Sequence, residues 1–323
     1  MFNLIKFKIK NGIKTGYLIG LIPLCLDIDK HYFFNIFNLI RFNKKYTYNT
    51  PALHVSKIGT STNKRKPLLI VSLTSFPERI NLAHITISTL LNQSLEPDKI
   101  ILWLAEEQFP NKELDLPESL LNYKNFGLEI KWCKDLKSYK KIVPTLQEFP
   151  NDIIVTADDD LYYSTTWLES LYNAYTKNPN NIYVKRANRV FLEEDKIKLV
   201  KKHKRLKKEY ENSSYFNVTM TGSGCLFPPN SLNKDLFFEK DFLKILPTHD
   251  DVYIWAACIL SKKKIEVVGG YREDLICVNN TQQYGLCKIN NKSGYGITIP
   301  EALNKIKDEF PEIIDILQGE HNE

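Results

Sequence analysis

Short runs that are apolar at nearly every position alternate along this chain with longer amphipathic ones. Leu68-Leu69-Ile70-Val71-Ser72-Leu73 has the pattern of a strand buried on both faces of a parallel sheet. A polar turn, Thr74-Ser75-Phe76-Pro77-Glu78-Arg79, follows it. Residues 81–92 then place Ile85, Ile87, Leu90 and Leu91 at helical spacing. The alternation repeats: Lys99 to Leu104 ends in Ala105-Glu106-Glu107, and Leu128 to Trp132 ends in Cys133-Lys134-Asp135. A helix over 140–149 is predicted to lead into Ile153-Ile154-Val155, which is β-branched, brief and bounded by turn residues, hence a buried strand. Ile182-Tyr183-Val184 and Lys264 to Val268 are expected to complete the core. Strands and helices alternating at these intervals predict βαβ units, a mostly parallel α/β sheet, and ligands at the carboxyl ends of its strands.

Around this core the pattern is less regular. Residues 50–66 are polar and broken by turn formers, the composition of a linker. The basic run Glu193 to Tyr210, charged nearly all round, reads as an inserted exposed helix. Residues 279–296 read as a loop or flap, and Pro300 to Leu317 as an amphipathic helix. The expected organisation is an N-terminal extension and linker over 1–66, a compact domain over 67–275, and a C-terminal flap and helix over 276–323.

The strand at 153–155 runs directly into Asp158-Asp159-Asp160. Charges cannot continue into a core, so the three acids must emerge at the strand's carboxyl end. Adjacent carboxylates tolerate such closeness best with a hard cation, and their oxygens suit Mg²⁺ or Mn²⁺, which commonly take one or two carboxylates plus substrate phosphates. The plainer alternative is a solvated acidic turn capping the helix expected from Ser164 to Tyr175. Neither GxGxxG nor GxxxxGKS occurs, so a diphosphate in this fold must be held another way; a metal on Asp158 and Asp160 would serve. Gly222-Ser223-Gly224 would let backbone approach a ligand closely, or simply turn between strands. Asp250-Asp251 precedes an apolar helix; Asp250 is a good N-cap, and the pair also offers a general base. His249 beside them is a metal ligand or a satisfied surface histidine.

Composition narrows the classes only modestly. The chain has 323 residues, a formal charge of +6 and 25% charged residues, an ordinary globular balance. Its basic clusters suit phosphate-bearing substrates or anionic lipid, and the run 196–208 lacks the aromatic interleaving of single-strand binders, so no nucleic-acid partner is expected. Six cysteines without CxxC predict free thiols in a reducing compartment and no zinc cluster. Gly16 to Leu26 is apolar but too short to span a membrane, and a second aromatic run over 32–42 has basic neighbours. Together they predict a segment leaning on the inner face of the cytoplasmic membrane, with a packed extra helix as the alternative.

The order of these motifs resembles a nucleotide-sugar glycosyltransferase of the GT-A fold, of the family 2-like capsule and lipopolysaccharide type, over about residues 67 to 275. The resemblance rests on Val71 to Pro77 as opening strand and loop, on Ser88 to Ser94 followed by Ile100 to Leu104, on Asp158-Asp159-Asp160 as the D-x-D metal motif, and on Asp250-Asp251 before a helix with Trp255. It implies a cytoplasmic enzyme that moves a sugar from a nucleotide-sugar to a saccharide or lipid-linked saccharide acceptor with inversion, using Mn²⁺ or Mg²⁺. Asp158, Asp160 and His249 would be the metal ligands and Asp251, or failing it Asp250, the base. Thr74, Ser75, Pro77, Arg79, Glu106, Lys140, Lys141, Asp158 and Asp159 would lie on the donor side, with Gly222, Ser223 and Gly224 against the acceptor or donor sugar. Two departures stand out: Ala105-Glu106-Glu107 replaces an aspartate pair, and Lys137 to Lys141 replaces a segment bearing Gly, Arg and Asn. The rivals are a nucleotidyl or sugar-phosphate transferase on the same scaffold, and a non-catalytic sugar- or membrane-binding protein.

Overall fold

The computed structural model describes residues 52–200, 212–238, 240–269, 276–285 and 297–321, and the backbone of 5–10, 13–18 and 22–26. Apolar runs become the strands β1 (Leu69–Thr74), β2 (Lys99–Ala105), β3 (Leu128–Cys133), β4 (Ile153–Thr156) and β5 (Ile182–Val184). Then follow β6 (Ala187–Glu193), β7 (Lys196–Leu199), β8 (Asn217–Thr219), β9 (Cys225–Phe227) and β10 (Ile265–Val267). The helices are α1 (Pro77–Leu90), α2 (Val143–Glu148), α3 (Trp167–Lys177), α4 (Asp250–Leu260), α5 (Ile299–Glu309) and α6 (Glu312–His321).

Seven strands form one sheet in the order β10-β5-β9-β4-β1-β2-β3. The pairs β4–β1, β1–β2, β2–β3 and β10–β5 are parallel, as the alternation predicts. Strand β9 runs against both its neighbours, with Cys225 opposite Thr156 and Val184. That reversal sets the start of β9, and the turn before it, beside the carboxyl end of β4, where the acids emerge.

The strands sort their side chains by alternate residues onto two faces. Leu69, Val71, Leu73, Ile153, Val155, Tyr183 and Leu226 pack with Ile87 and Leu90 of α1 and Leu168 and Leu171 of α3. Ile154, Ile182, Val184, Cys225 and Phe227 pack on the other side with Val143, the apolar length of α4, and Leu303 and Ile306 of α5. Layers of helix on both faces of a mostly parallel sheet agree with the α/β architecture expected from the sequence.

Four expectations need correction. Residues 52–66 lie along the domain rather than linking to it: Leu53 N donates to Ser88 Oγ, Gly59 N to Phe126 O and Ser61 N to Pro97 O, and Arg65 pairs with buried Asp98 at 3.1 Å. The described part of the run expected as an exposed helix, residues 193–200, is the turn and second strand of the hairpin β6–β7, whose Val190 and Ile197 are buried at strand spacing; residues 201–211 lie outside the described residues. The C-terminal helix is two, since Phe310-Pro311 interrupts it. Ile5–Lys10, Ile13–Leu18 and Ile22–Leu26 pair as an antiparallel meander where an extra helix was the alternative, and the aromatic run 32–42 lies outside the described residues. Among the described residues no helix is long and apolar enough to cross a membrane.

Candidate active site

Strand β4 delivers Asp158-Asp159-Asp160 to the carboxyl edge of the sheet, and the three side chains have different surroundings. Asp159 accepts from Ser75 Oγ at 2.5 Å and from Arg79 NH1 at 2.8 Å, so both of its oxygens are committed. Asp160 Oδ2 takes Arg79 NH2 at 3.0 Å and Gln282 Nε2 at 2.7 Å. Asp158 Oδ1 takes Lys141 Nζ at 2.7 Å. Residues Asp159 and Asp160 are only 3% and 6% exposed, which removes the solvated acidic turn as an explanation. Nor do the acids cap a helix, since Leu161–Tyr162 pairs with Ile276–Cys277 and α3 starts after Thr166.

Lys141 ties this strand end to α4. Its buried ammonium also reaches Asp250 Oδ2 at 3.1 Å. Burial works against that charge, but Asp158, Asp250 and Asp251 outweigh it and hold the lysine well above its usual range. His249 is the residue before the helix, so Asp250 opens α4 rather than capping it. Both aspartates then sit in a first turn, where the helix dipole favours negative charge. Asp251 Oδ1 accepts from Thr221 N at 2.7 Å and Thr221 Oγ1 at 2.6 Å. Burial alone would raise both carboxyls. At Asp250 the Lys141 charge wins and holds it below the ordinary carboxylate range. At Asp251 burial, reinforced by the neighbouring Asp250 charge, pushes it up to about 7. Asp160 is likewise pushed up to about 7, by burial and then by Asp158.

The turn 221–224 packs under the first acid. Gly222 has no room for a side chain, because a Cβ there would overlap Asp158 Oδ2. Gly224 adopts φ +116°, and a Cβ on it would overlap the Trp167 indole. Two aromatics hold the turn: Tyr163 Oη donates to Gly222 O at 2.5 Å while accepting from Asp158 N at 2.8 Å, and Trp167 Nε1 donates to Ser223 O at 2.9 Å.

Several expected ligand contacts are instead engaged inside the protein. Ser75 and Arg79 hold Asp159, so the donor-side reading of those three becomes one of support for the acidic strand end. Thr74 Oγ1 donates to Trp103 O at 2.8 Å, and Pro77 opens α1. Adjacent Lys140 points elsewhere, to Gln108 at 3.0 Å and Asp135 at 3.2 Å. Glu106, exposed at the end of β2, pairs with Lys112. Ser223 is buried with its hydroxyl on Met220 O. His249 is buried rather than on the surface; its Nε2 lies 2.6 Å from Ile297 O and can only donate there, so that nitrogen is not a metal ligand. Sequence reasoning missed Thr221, Tyr163 and Gln282. Thr221 stands directly before the glycine turn, a signal that could have found it; the other two contacts depend on the tertiary fold.

Five carboxylates thus share two ion-paired cations, Lys141 and Arg79. With all five ionised, the cluster carries a negative excess that a divalent cation would offset. Asp158 Oδ2 and Asp160 Oδ1 make no hydrogen bond among the described residues, and the Asp158 side chain is 36% exposed. Among the described residues no three His, Cys, Asp or Glu side chains converge on a metal position. Two hard carboxylate oxygens still fit Mg²⁺ or Mn²⁺, whose remaining positions usually go to water and substrate phosphates. A cavity of about 530 Å³ opens elsewhere, at the opposite ends of β1 and β4, beside Lys64, Arg65 and Asp152. Its basic groups turn to Asp98, so few polar groups converge in it.

Residues 145–239 match the family model described as Glycosyl transferase family 2. That segment holds β4, the acidic run and the glycine turn, and stops short of Asp250 and Asp251. No curated protein matches the chain significantly. Among solved structures, S. aureus TarS 1-349 in complex with UDP-GlcNAc is similar with a TM-score of 0.41 and 10% identity, over 62% of this chain and 55% of that one. GalNAc-T7 with UDP, GalNAc and Mn²⁺ is similar with a TM-score of 0.42 and 13% identity, over 63% and 43%. The chain spans about half the length of these two structures, and at such values they add no argument to the family match. Over residues 145–239 the chain is thus similar to family 2 glycosyltransferases, and that segment sits within a mostly parallel α/β sheet.

Proposed function

We propose that this protein is a metal-dependent glycosyltransferase that moves a sugar from a nucleotide-sugar to a hydroxyl of a saccharide or lipid-linked acceptor, with inversion, in surface polysaccharide synthesis. The observation that carries the reading is the division of labour among the five carboxylates around Lys141 and Arg79. Asp158 and Asp160, each with one oxygen uncommitted among the described residues, would hold Mg²⁺ or Mn²⁺. When bound, such an ion acts as a Lewis acid on the donor diphosphate.

The protein's own groups supply the rest. Lys141 keeps Asp250 ionised and fixes Asp158 relative to α4. Asp251 is held through Oδ1 by Thr221, leaving Oδ2 to take the proton of the acceptor hydroxyl. Two adjacent carboxyls pushed in opposite directions by their surroundings is how one site assigns an ion-pair partner and a base. Residues 67–275 would form the catalytic domain, and the basic, apolar N-terminal extension supports a place at the inner face of the cytoplasmic membrane.

Asp251→Asn keeps the shape and the Thr221 bonds but cannot accept the proton. It should lower kcat by about 10²–10⁴-fold, the usual worth of a general base, with KM for the donor little changed. Initial rates with a transferred radiolabelled sugar would measure this. Undiminished kcat in Asp251→Asn would overturn the assignment of the base.

A further inference from the structure

Gln282 lies in the segment read from sequence as a loop or flap and outside the family match, yet it touches the acidic strand end. It is brought there by three contacts. Ile276–Cys277 pairs with Leu161–Tyr162, Val278 N donates to Asp160 O at 2.8 Å, and buried Thr281 closes the following turn by donating to Val278 O at 2.7 Å. The side chain then places Nε2 at 2.7 Å from Asp160 Oδ2, across 122 residues of sequence. Arg79 NH2 meets the same oxygen at 3.0 Å.

A carboxylate oxygen has two lone-pair positions in its plane. With the Gln282 hydrogen bond and the Arg79 charge both directed at Oδ2, that is the engaged oxygen of Asp160, and Oδ1 is the one it offers to a metal. From this we infer that Gln282 is a positioning residue for the metal site: it fixes the rotation of the Asp160 carboxyl so that Asp160 binds the ion through a single oxygen, Oδ1. Mg²⁺ and Mn²⁺ sites favour octahedral geometry built from single oxygens, which a rotating or chelating carboxyl would spoil. Partners of this outer kind typically change metal affinity by about 10–100-fold when removed. The segment 276–285 therefore does more than cover the sheet edge, because the C-terminal part of the chain sets the affinity of a site on β4. The inference rests on the metal-site reading above, and the test separates the two.

Mn²⁺ binding to the full chain would be measured by electron paramagnetic resonance titration without substrate, for wild type, Asp158→Asn, Gln282→Met and Gln282→Ala. Methionine keeps the bulk of Gln282 and removes only the donor, and thermal melts of each variant report folding. The expected result is binding by wild type, loss in Asp158→Asn, and an affinity about tenfold weaker in Gln282→Met at an unchanged melting temperature, with a changed Mn²⁺ line shape. Gln282→Ala should weaken binding at least as much. Wild-type affinity in Gln282→Met would overturn the role of Gln282 and leave the metal site standing. Failure of wild type to bind Mn²⁺ would overturn the metal reading and this inference with it.

Discussion

Gly222 is the residue on which the first carboxylate leans, and its replacement separates geometry from charge. In Gly222→Ala the new methyl would claim the space of Asp158 Oδ2, and the cheapest relief is rotation of the aspartate away from Lys141. Metal-dependent donor binding should then fall at least tenfold while the protein stays folded, which calorimetry and a thermal melt together would check. Gly224→Ala is a different case. It forces a side chain into φ +116° and against the Trp167 indole, so stability should drop, by about 1–3 kcal/mol for the backbone strain alone, in a denaturant titration. At this scale the sequence shows which residues carry chemistry and hides how they are used. Lys140 and Lys141 are identical neighbours in a 3₁₀ turn, and only the fold sends one to Asp135 and the other to Asp158. The three aspartates look equivalent as text, and only their partners make Asp159 a strut and leave Asp158 and Asp160 an oxygen each.

Elements explain why the site survives so many like charges. Helix α1 brings Arg79 under β4, where it meets Asp159 and Asp160 while 8% exposed. Removing one partner of a buried pair leaves the others uncompensated, at a cost of about 3–5 kcal/mol. Arg79→Met should therefore lower the free energy of unfolding by about that much in urea, and by much less in an Asp159→Asn background, where the pair is already broken. The strands were legible because β-branched runs bounded by turn residues have few other fates, and the helix α4 because its apolar run is long. The direction of β9 was not. Cys225-Leu226-Phe227 is apolar whichever way it runs, and its reversal follows from the path of the chain through β6, β7 and β8. The hairpin β6–β7 was hidden by its charges, since Lys and Glu on the open side of such a strand pair resemble those of a solvated helix. Gln282 gave no local signal because everything it does depends on the pairing of Ile276–Cys277 with Leu161–Tyr162, far earlier in the chain.

For the molecule as a whole, the acidic cluster predicts how stability varies with pH. Asp251 and Asp160 take up protons near pH 7 in the native state, against 3.8 for an ordinary aspartate. Between those values the folded chain binds more protons than the unfolded one, so stability falls as pH rises. Their contribution is fully present below about pH 4 and lost as pH climbs through about 7. Asp250, held low by Lys141, acts in the opposite sense and loses its contribution as pH drops below the ordinary carboxylate range. In chelator the melting temperature should therefore fall between pH 5.5 and 7.5, and Asp251→Asn should flatten the slope. A slope unchanged in that variant would contradict the assignment of a raised Asp251.

The central claim is that the acidic end of β4 holds a metal and, with it, a nucleotide-sugar. Calorimetric titration of UDP-, GDP- and CMP-sugars tests it most directly, with Mn²⁺ and with chelator, on wild type and on the double variant Asp158→Ala/Asp160→Ala. The account predicts metal-dependent binding of one nucleotide class, absent in chelator and in the double variant. Binding that is indifferent to metal and to both substitutions, or no binding of any of the three, would contradict it.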